Sequence, residues 1–374
     1  MDAPATARGR DRARVGALAP GAHVAVVQTS FLGDVVLTTP LVAAVRTALR
    51  PGRLSVVVRP EAVPLLAHHP CVDDVIVDDK RGRDGGLSGA VRVARRLRQR
   101  RIDVAVSPHR SLRTALVLAS AGIGVRIGFG DSCGAFLYHT RVPRDCARHD
   151  VERNLGLLAA FGLAPEAHLQ PPALTAGAAA EETAARLLRT LGLDDGRALY
   201  AVCPGSVWHT KRWSAAGFGG VARALAVNDA AVLLLGGSAD AAVGERVTRH
   251  AGGDVVNLVG KTDLGTFVAL TGRMQAVIAN DSAPMHIAAA CGVPVVAVFC
   301  ATTPAQGYGP YSAAAEVVGA DLECRPCGRH GGRSCPRRTE DCRRLVTPEQ
   351  VLAAVRRVVA LRPRARALAG RAHS

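Results

Sequence analysis

The feature that most constrains this chain is a strand-like and helix-like alternation that runs through it twice. Short β-rich runs, His23–Thr29, Arg53–Arg59, Asp73–Asp78 and Ile102–Pro108, are separated by stretches with helical spacing of apolar residues. Repeated strand–helix units predict a parallel sheet. A Pro- and Ala-rich stretch, "LAPEAHLQPPALTAG" at Leu163–Gly177, then breaks the pattern as a linker does. Beyond it the alternation restarts with Ala198–Ser206, Ala230–Ser238, Asp254–Gly260, Gln275–Asp281 and Val293–Phe299. The predicted fold is α/β: two Rossmann-like parallel-sheet domains facing a central cleft, with ligands bound where the strand C-terminal ends meet it.

Length and composition agree with two cores. The chain has 374 residues, 48% of them hydrophobic, with a mean hydropathy of +0.15. No run of about 18 apolar residues is apparent, so a spanning helix is not expected. The first 20 residues, "MDAPATARGRDRARVGALAP", contain arginines but no apolar segment of signal-peptide type. A cytoplasmic protein is expected, and its ten cysteines then read as thiols or ligands rather than a disulfide framework.

The net charge is +16, yet only three of the 47 basic residues are lysines, Lys80, Lys211 and Lys261. That skew looks like a general preference for arginine and makes much of the charge uninformative. Two acid-free runs stand out, Arg92–Arg101 and Arg356–Arg371. They read either as a solvated helix face and a frayed tail, or as contacts to an anionic membrane or an anionic lipid-linked substrate. Nucleic acid is not the expected partner.

The turn after the first strand poses the sharpest question. In "VVQTSFLGDVVLTTP", Val26–Pro40, a dinucleotide loop would carry several glycines; here Gly33 is followed by a carboxylate, Asp34, which would repel a phosphate. Asp34 reads as a helix N-cap. It reads equally as a free group in the cleft, because Thr39–Pro40 can serve as the cap and first residue of a regular helix. Gly33 would let the chain turn sharply and keep an acceptor's approach open.

Three loops of the second half converge on the same cleft. "PGSVWHTKRWS", Pro204–Ser214, follows a strand and precedes a helix, so its amides and Lys211 suit an anion; a compact ammonium serves phosphate as a point charge. "NDSAPMHIAAACGVP", Asn280–Pro294, places Asp281 at a strand end, free N–H groups of Ser282 and Ala283 at a helix start, and His286 within its first turns. His286 reads as a ligand or as a packed helix histidine. "LVGKTDLG", Leu258–Gly265, offers Lys261 and an Asp263 N-cap.

In order along the chain, "GDVVLTTP", "PGSVWHTKRW" and "NDSAPMHIAAACGVPVVAVFCATTPAQGYGP" resemble the ADP-heptose–lipopolysaccharide heptosyltransferases of glycosyltransferase family 9, especially their type II, over residues 22 to 355. The resemblance implies a GT-B architecture. Its expected division is a disordered basic tail over residues 1–20, an acceptor-binding domain over 21–165, a linker over 166–178, a nucleotide-sugar domain over 179–360 and a basic tail over 361–374. It implies an inverting, metal-independent transferase that moves heptose from ADP-heptose to the lipopolysaccharide inner core, with Asp34 as general base and Gly33 on the acceptor side. The donor residues it implies are Gly205, Ser206, Thr210, Lys211, Lys261, Thr262, Asp281, Ser282, Ala283, Met285 and His286. Partners would be an ADP-sugar, a lipid-linked oligosaccharide and the cytoplasmic face of the inner membrane.

Two departures from the family pattern are visible. Ala283 stands where glycine is common, but it still offers its N–H, and Pro284 fits a first helical turn. Trp208 and His209 replace small or acidic residues. The chemistry is consistent with the resemblance: glycosyl transfer needs a base for the acceptor hydroxyl and cationic or dipolar groups for the leaving diphosphate. No D-x-D occurs to hold Mg²⁺, and no cofactor is expected. Cys324, Cys327, Cys335 and Cys342 begin with C-x₂-C, but the spacing of the second pair is not that of a zinc knuckle, and free thiols are favoured over structural zinc. A GT-B transferase with another nucleotide sugar or acceptor, an epimerase, and a non-catalytic relative are the alternatives.

Overall fold

The computed structural model describes residues 15–361 apart from 17, 228–229 and 254. Among the described residues, twelve strands form two six-stranded sheets. The first contains β1 (His23–Val27), β2 (Arg53–Val58), β3 (Asp74–Val77), β4 (Val104–Ser107), β5 (Val125–Phe129) and β6 (Thr140–Val142), in the order β3-β2-β1-β4-β5-β6. The second contains β7 (Leu199–Cys203), β8 (Ala231–Leu234), β9 (Val255–Asn257), β10 (Ala276–Asn280), β11 (Val295–Val298) and β12 (Ala315–Val318), in the order β12-β11-β10-β7-β8-β9. Every neighbouring pair is parallel. The two orders are the same doubly wound topology. In each, the strand order reverses between the first and fourth strands of the sheet, β1/β4 and β7/β10, which is where such sheets open a ligand crevice.

The nine predicted runs all become strands. β5, β6 and β12 were not anticipated: β5 carries Arg126 and Gly128, β6 has three residues, and β12 has no fully buried residue, so none shows a clean apolar run. The central strands do, because they are covered on both faces. One apolar cluster runs from the first sheet (Val24, Val26, Leu54, Val56) into the second (Ala201, Val277, Ala279), while separate clusters fill the outer faces of the two sheets.

The stretch Leu32–Leu49 has the length and mean hydropathy, 1.4, of a membrane span. In the fold it is broken into Leu32–Val36, Thr39–Ala44 and a wide-turn segment Val45–Leu49, and Val35, Val36, Leu41, Val42 and Val45 are core residues. The part of the N-terminal tail that is described is docked rather than free: Val15 N–H donates to Ala160 O at 2.9 Å, and Val15 and Leu18 pack against the core. Residues 1–14 and 362–374 of the two expected tails lie outside the described residues.

Candidate active site

The topology delivers the site. Asp34 follows β1, Lys211 follows β7 and Asp281–His286 follow β10, so the residues singled out by sequence hang from the switch points of the two sheets. The helix Leu32–Val36 packs on the helix Ala283–Ala290, which closes the two domains on each other beside these residues.

Asp34 is neither an N-cap nor an unattached group. Phe31 is the N-cap of Leu32–Val36, and Asp34 sits at the third helical position, accepting from Ser30 Oγ at 2.5 Å and from Phe31 N–H at 3.1 Å. Both bonds fall on Oδ2. Burial, reinforced by the charge of Asp150, raises its pKa, against the opposing effects of Ser30, Phe31 and Lys211. The second helix is capped by Thr38, one residue earlier than expected, with Thr39 already helical. Gly33 also differs from expectation: it is helical and makes no turn. A methyl group there would fall 2.9 Å from Cδ2 of His286, so the glycine is required by the contact between the domains.

In the second domain, Lys211 Nζ and Asp281 Oδ2 pair at 2.7 Å, and Thr302 Oγ1 donates to that same oxygen at 2.6 Å. Ser282 is the N-cap of Ala283–Ala290 with Pro284 in the first turn, as expected. Its hydroxyl turns back to Asn280 O at 3.3 Å, so no side chain caps the helix. His286 and Met285 are buried. Burial pushes the His286 imidazole down to about 4, with His149 and Lys211 reinforcing the shift and Asp281 opposing it, and its buried Nδ1 has no hydrogen-bond partner. His286 is therefore both packed and neutral at pH 7.

Other expected donor residues are placed differently. Thr210 is buried, and its hydroxyl accepts from Gly332 N–H at 2.7 Å while its own N–H donates to Gly332 O at 3.1 Å. It ties the cysteine-rich loop to the Lys211 turn. Ser206 is buried with its carbonyl accepting from Arg212 Nε at 2.7 Å. Gly205 is bare because a Cβ would collide with the Asp240 carboxylate. Lys261 is exposed and Thr262 half-buried, on the loop after β9, which β8 separates from β7; they stand away from the Lys211–Asp281 pair. Asp263 caps the next helix by accepting from Thr266 N–H at 2.7 Å.

Two residues escaped the sequence reading. Asn280 is fully buried, and its side-chain amide donates to Pro204 O at 2.8 Å and Gly205 O at 3.3 Å while accepting from Trp213 N–H at 2.8 Å. It clamps both ends of the Lys211 loop. Asp240, pushed up by burial against the pull of Arg212, follows β8, the second strand of its sheet, where dinucleotide folds place an acid for the ribose. The position after a second strand was its available signal.

The first domain frames Asp34 with cations. Arg59 is buried, paired with Glu61 at 2.5 Å, and stacks with Arg81 over the Phe31 ring at 5.8 and 5.7 Å. Lys80, pushed down to about 8 by burial and then by Arg59, reaches Thr29 Oγ1 at 3.4 Å. A second seam joins the domains: Asp150 N–H donates to Gly307 O at 2.8 Å, and Arg153 donates to Gln306 O at 3.0 Å. Cys324, Cys327, Cys335 and Cys342 are free thiols, and among the described residues no three metal-ligating side chains are grouped to hold an ion.

A doubly wound sheet pair with a carboxylate on one side of the cleft and a lysine with an uncapped helix start on the other defines a glycosyltransferase of the GT-B class. The chain belongs to glycosyltransferase family 9 (heptosyltransferase), whose family description matches residues 90–334. It is 28% identical over 324 residues to a lipooligosaccharide heptosyltransferase 2 of Haemophilus influenzae, covering 83% of this chain and 93% of that one. Among solved structures it is similar to a family 9 glycosyltransferase from Veillonella parvula (TM-score 0.79, 24% identity, 91% of this chain and 98% of that one). It is also similar to the Escherichia coli ADP-heptose heptosyltransferase II (TM-score 0.74, 23% identity, covering 90% and 98%).

Proposed function

We propose that the protein is an inverting heptosyltransferase that moves heptose from ADP-heptose to the inner core of lipopolysaccharide at the cytoplasmic side of the inner membrane. The observation that carries this reading is the placement of Asp34 at the switch point of one sheet, within electrostatic reach of Lys211 at the switch point of the other. The relatives named above support the sugar and the acceptor class through what they transfer.

In this reading Asp34 Oδ2 is fixed by Ser30 and Phe31, and Oδ1 takes the proton from the acceptor hydroxyl. The acceptor oxygen bonds to the anomeric carbon as the bond to the diphosphate breaks, so one displacement inverts the configuration. Charge developing on the leaving diphosphate falls on Lys211 and on the first-turn N–H groups at Ser282–Ala283. The neutral, buried His286 packs its ring against Gly33 and so holds this helix start in place beside Asp34. Asp240 takes the ribose hydroxyls, and the nucleoside runs toward Lys261 and Thr262. Gly33, Arg59, Lys80 and Arg81 line the acceptor side, where cations suit a phosphorylated or carboxylated glycan.

A thermal-shift screen of ADP-sugars against UDP- and GDP-sugars tests the donor. Selective stabilisation by ADP-heptose, with ADP release that requires a heptose-acceptor core, is expected. A preference for another base, or ADP release that ignores the acceptor, overturns the assignment.

A further inference from the structure

We propose that the cleft-side rim of the first domain, formed by Leu87, Val91, Leu112, Leu116 and Phe136, is a docking surface for an anionic lipid bilayer. Among the described residues eleven large hydrophobic side chains are exposed, and these five fall within one stretch of the first domain, Leu87 at 86% and Phe136 at 67%. The other six are scattered over both domains, so their exposure is ordinary.

The five share a side of the fold. Leu87 and Val91 are one turn apart on the helix Gly86–Gln99, off the face that buries Gly89, Val93 and Leu97. Arg98 lies on that same flank, three turns along from Leu87, and donates to Ser120 O at 2.7 Å, which turns the flank toward the helix Leu112–Ser120. Leu112 and Leu116 are one turn apart on that second helix, opposite its buried Thr114, Ala115 and Leu118. Phe136 stands on the turn Ala135–Leu137, which packs against the same helix; a Cβ on Gly134 would press on Ala115 and Leu112. Helices of a parallel sheet start at the strand C-terminal ends, so Leu87 and Leu112 begin their helices at the cleft edge of the domain.

Charge says what covers this surface. Residues 80–116 hold eleven Lys and Arg against two Asp, more than half of the chain's net charge of +16. One of those acids, Asp84, is buried beneath Arg83, Arg92 and Arg96. Arg83, Arg92 and Arg95 remain exposed around the apolar rim. Apolar side chains ringed by arginine fit the acyl boundary and headgroups of an anionic leaflet; a protein partner of matching charge would have to cover the apolar rim as well. The inference rests on the proposed lipid-linked acceptor only for its purpose, which would be to bring the cleft mouth to the membrane. The surface chemistry stands without it.

Sedimentation of the full chain with vesicles lacking any glycolipid separates the two questions. Vesicles of phosphatidylethanolamine with phosphatidylglycerol are expected to bind at least about tenfold more tightly than phosphatidylcholine vesicles, and the preference should weaken with salt. Leu87→Ser with Phe136→Ser, and separately Arg95→Glu, an exposed arginine outside the Asp84 cluster, should each lower partitioning about tenfold while melting temperature and turnover on a delipidated acceptor stay at the wild-type level. Wild type that ignores vesicle charge, variants that bind like wild type, or a dimer that the Leu87→Ser and Phe136→Ser pair converts to monomers without changing vesicle binding would each overturn the proposal. Vesicle binding that persists while the transferase assay fails would sink the proposed function and leave this surface standing.

Discussion

Lys211 Nζ lies 2.7 Å from Asp281 Oδ2, with both side chains largely buried, so the ammonium is held beside the helix start by the carboxylate that follows β10. The pair joins the loops after β7 and β10, the two strands flanking the switch point of the second sheet. Removing the lysine therefore does two things: it deletes the cation proposed to meet the diphosphate, and it leaves Asp281 with only Thr302 among its side-chain partners.

Lys211→Ala is expected to weaken ADP binding by about 1.5–3 kcal/mol, roughly 10- to 150-fold, and to lower the melting temperature as well. Lys211→Arg should recover part of the affinity, because a guanidinium keeps the charge but not the compact point geometry. The double variant Lys211→Ala, Asp281→Asn removes the stranded carboxylate and should restore stability without restoring affinity. Calorimetry beside thermal denaturation separates these effects, and unchanged ADP affinity in the alanine variant would count against the donor role.

Asp34→Asn keeps the acceptor oxygen for Ser30 and Phe31 but cannot take a proton. A loss of roughly 10²- to 10⁴-fold in kcat, with normal donor binding, is expected. Because burial raises the folded-state pKa of Asp34, its ionised form costs stability at every pH above the ordinary carboxylate range, and the cost disappears as pH falls and the group protonates. The asparagine variant should thus melt no lower than wild type at pH 7. The same raised pKa moves the acid limb of kcat/KM, which reports the free enzyme, above the ordinary aspartate range, since protonation removes the base. An asparagine variant with near-wild-type turnover would place the base elsewhere.

Gly33→Ala tests the seam between the domains. Alanine gains up to about 1 kcal/mol of helix propensity, but its methyl group meets the buried His286 ring at 2.9 Å, and overpacking of this kind costs about 1–3 kcal/mol. A lower melting temperature and reduced turnover are expected, and His286→Ala in the same chain should recover the stability but not the turnover. A Gly33→Ala enzyme as stable and active as wild type would show that the seam yields to a methyl group and that the contact with His286 does not require glycine.

The sequence revealed what period and loop position can reveal. Central strands such as β1 and β10 are continuous apolar runs because both faces are covered, and the chemistry-bearing loops follow them directly. Edge strands β6 and β12 lack that signal. Lys211, Asp281 and Asp34 were legible as charges at strand ends. The reason for Gly33 was not, because it depends on a ring more than 250 residues away in the chain, and a local reading supplied a turn instead. Thr210 looked like a ligand by its neighbours, whereas its partner is Gly332 in a loop whose approach no spacing encodes.

Asn280 is the clearest case of a residue hidden in a motif. It precedes the acid that draws attention, yet it is Asn280 that fixes the Lys211 loop, through Pro204 O, Gly205 O and Trp213 N–H. Asn280→Ala would leave the Trp213 amide and the Pro204 carbonyl buried without this partner, at about 1–3 kcal/mol for each group. Because Lys211 lies between those two anchor points, the loss should reach the donor: the KM for the nucleotide sugar and the Kd for ADP are expected to rise, while kcat at saturating donor changes little. Asn280→Asp should be no better, since it retains an acceptor for Trp213 but sets a carboxylate against the carbonyls of Pro204 and Gly205. If Asn280→Ala lowers the melting temperature and leaves ADP affinity untouched, the loop holds its shape through Thr210, Gly332 and the Lys211–Asp281 pair, and Asn280 serves the core alone.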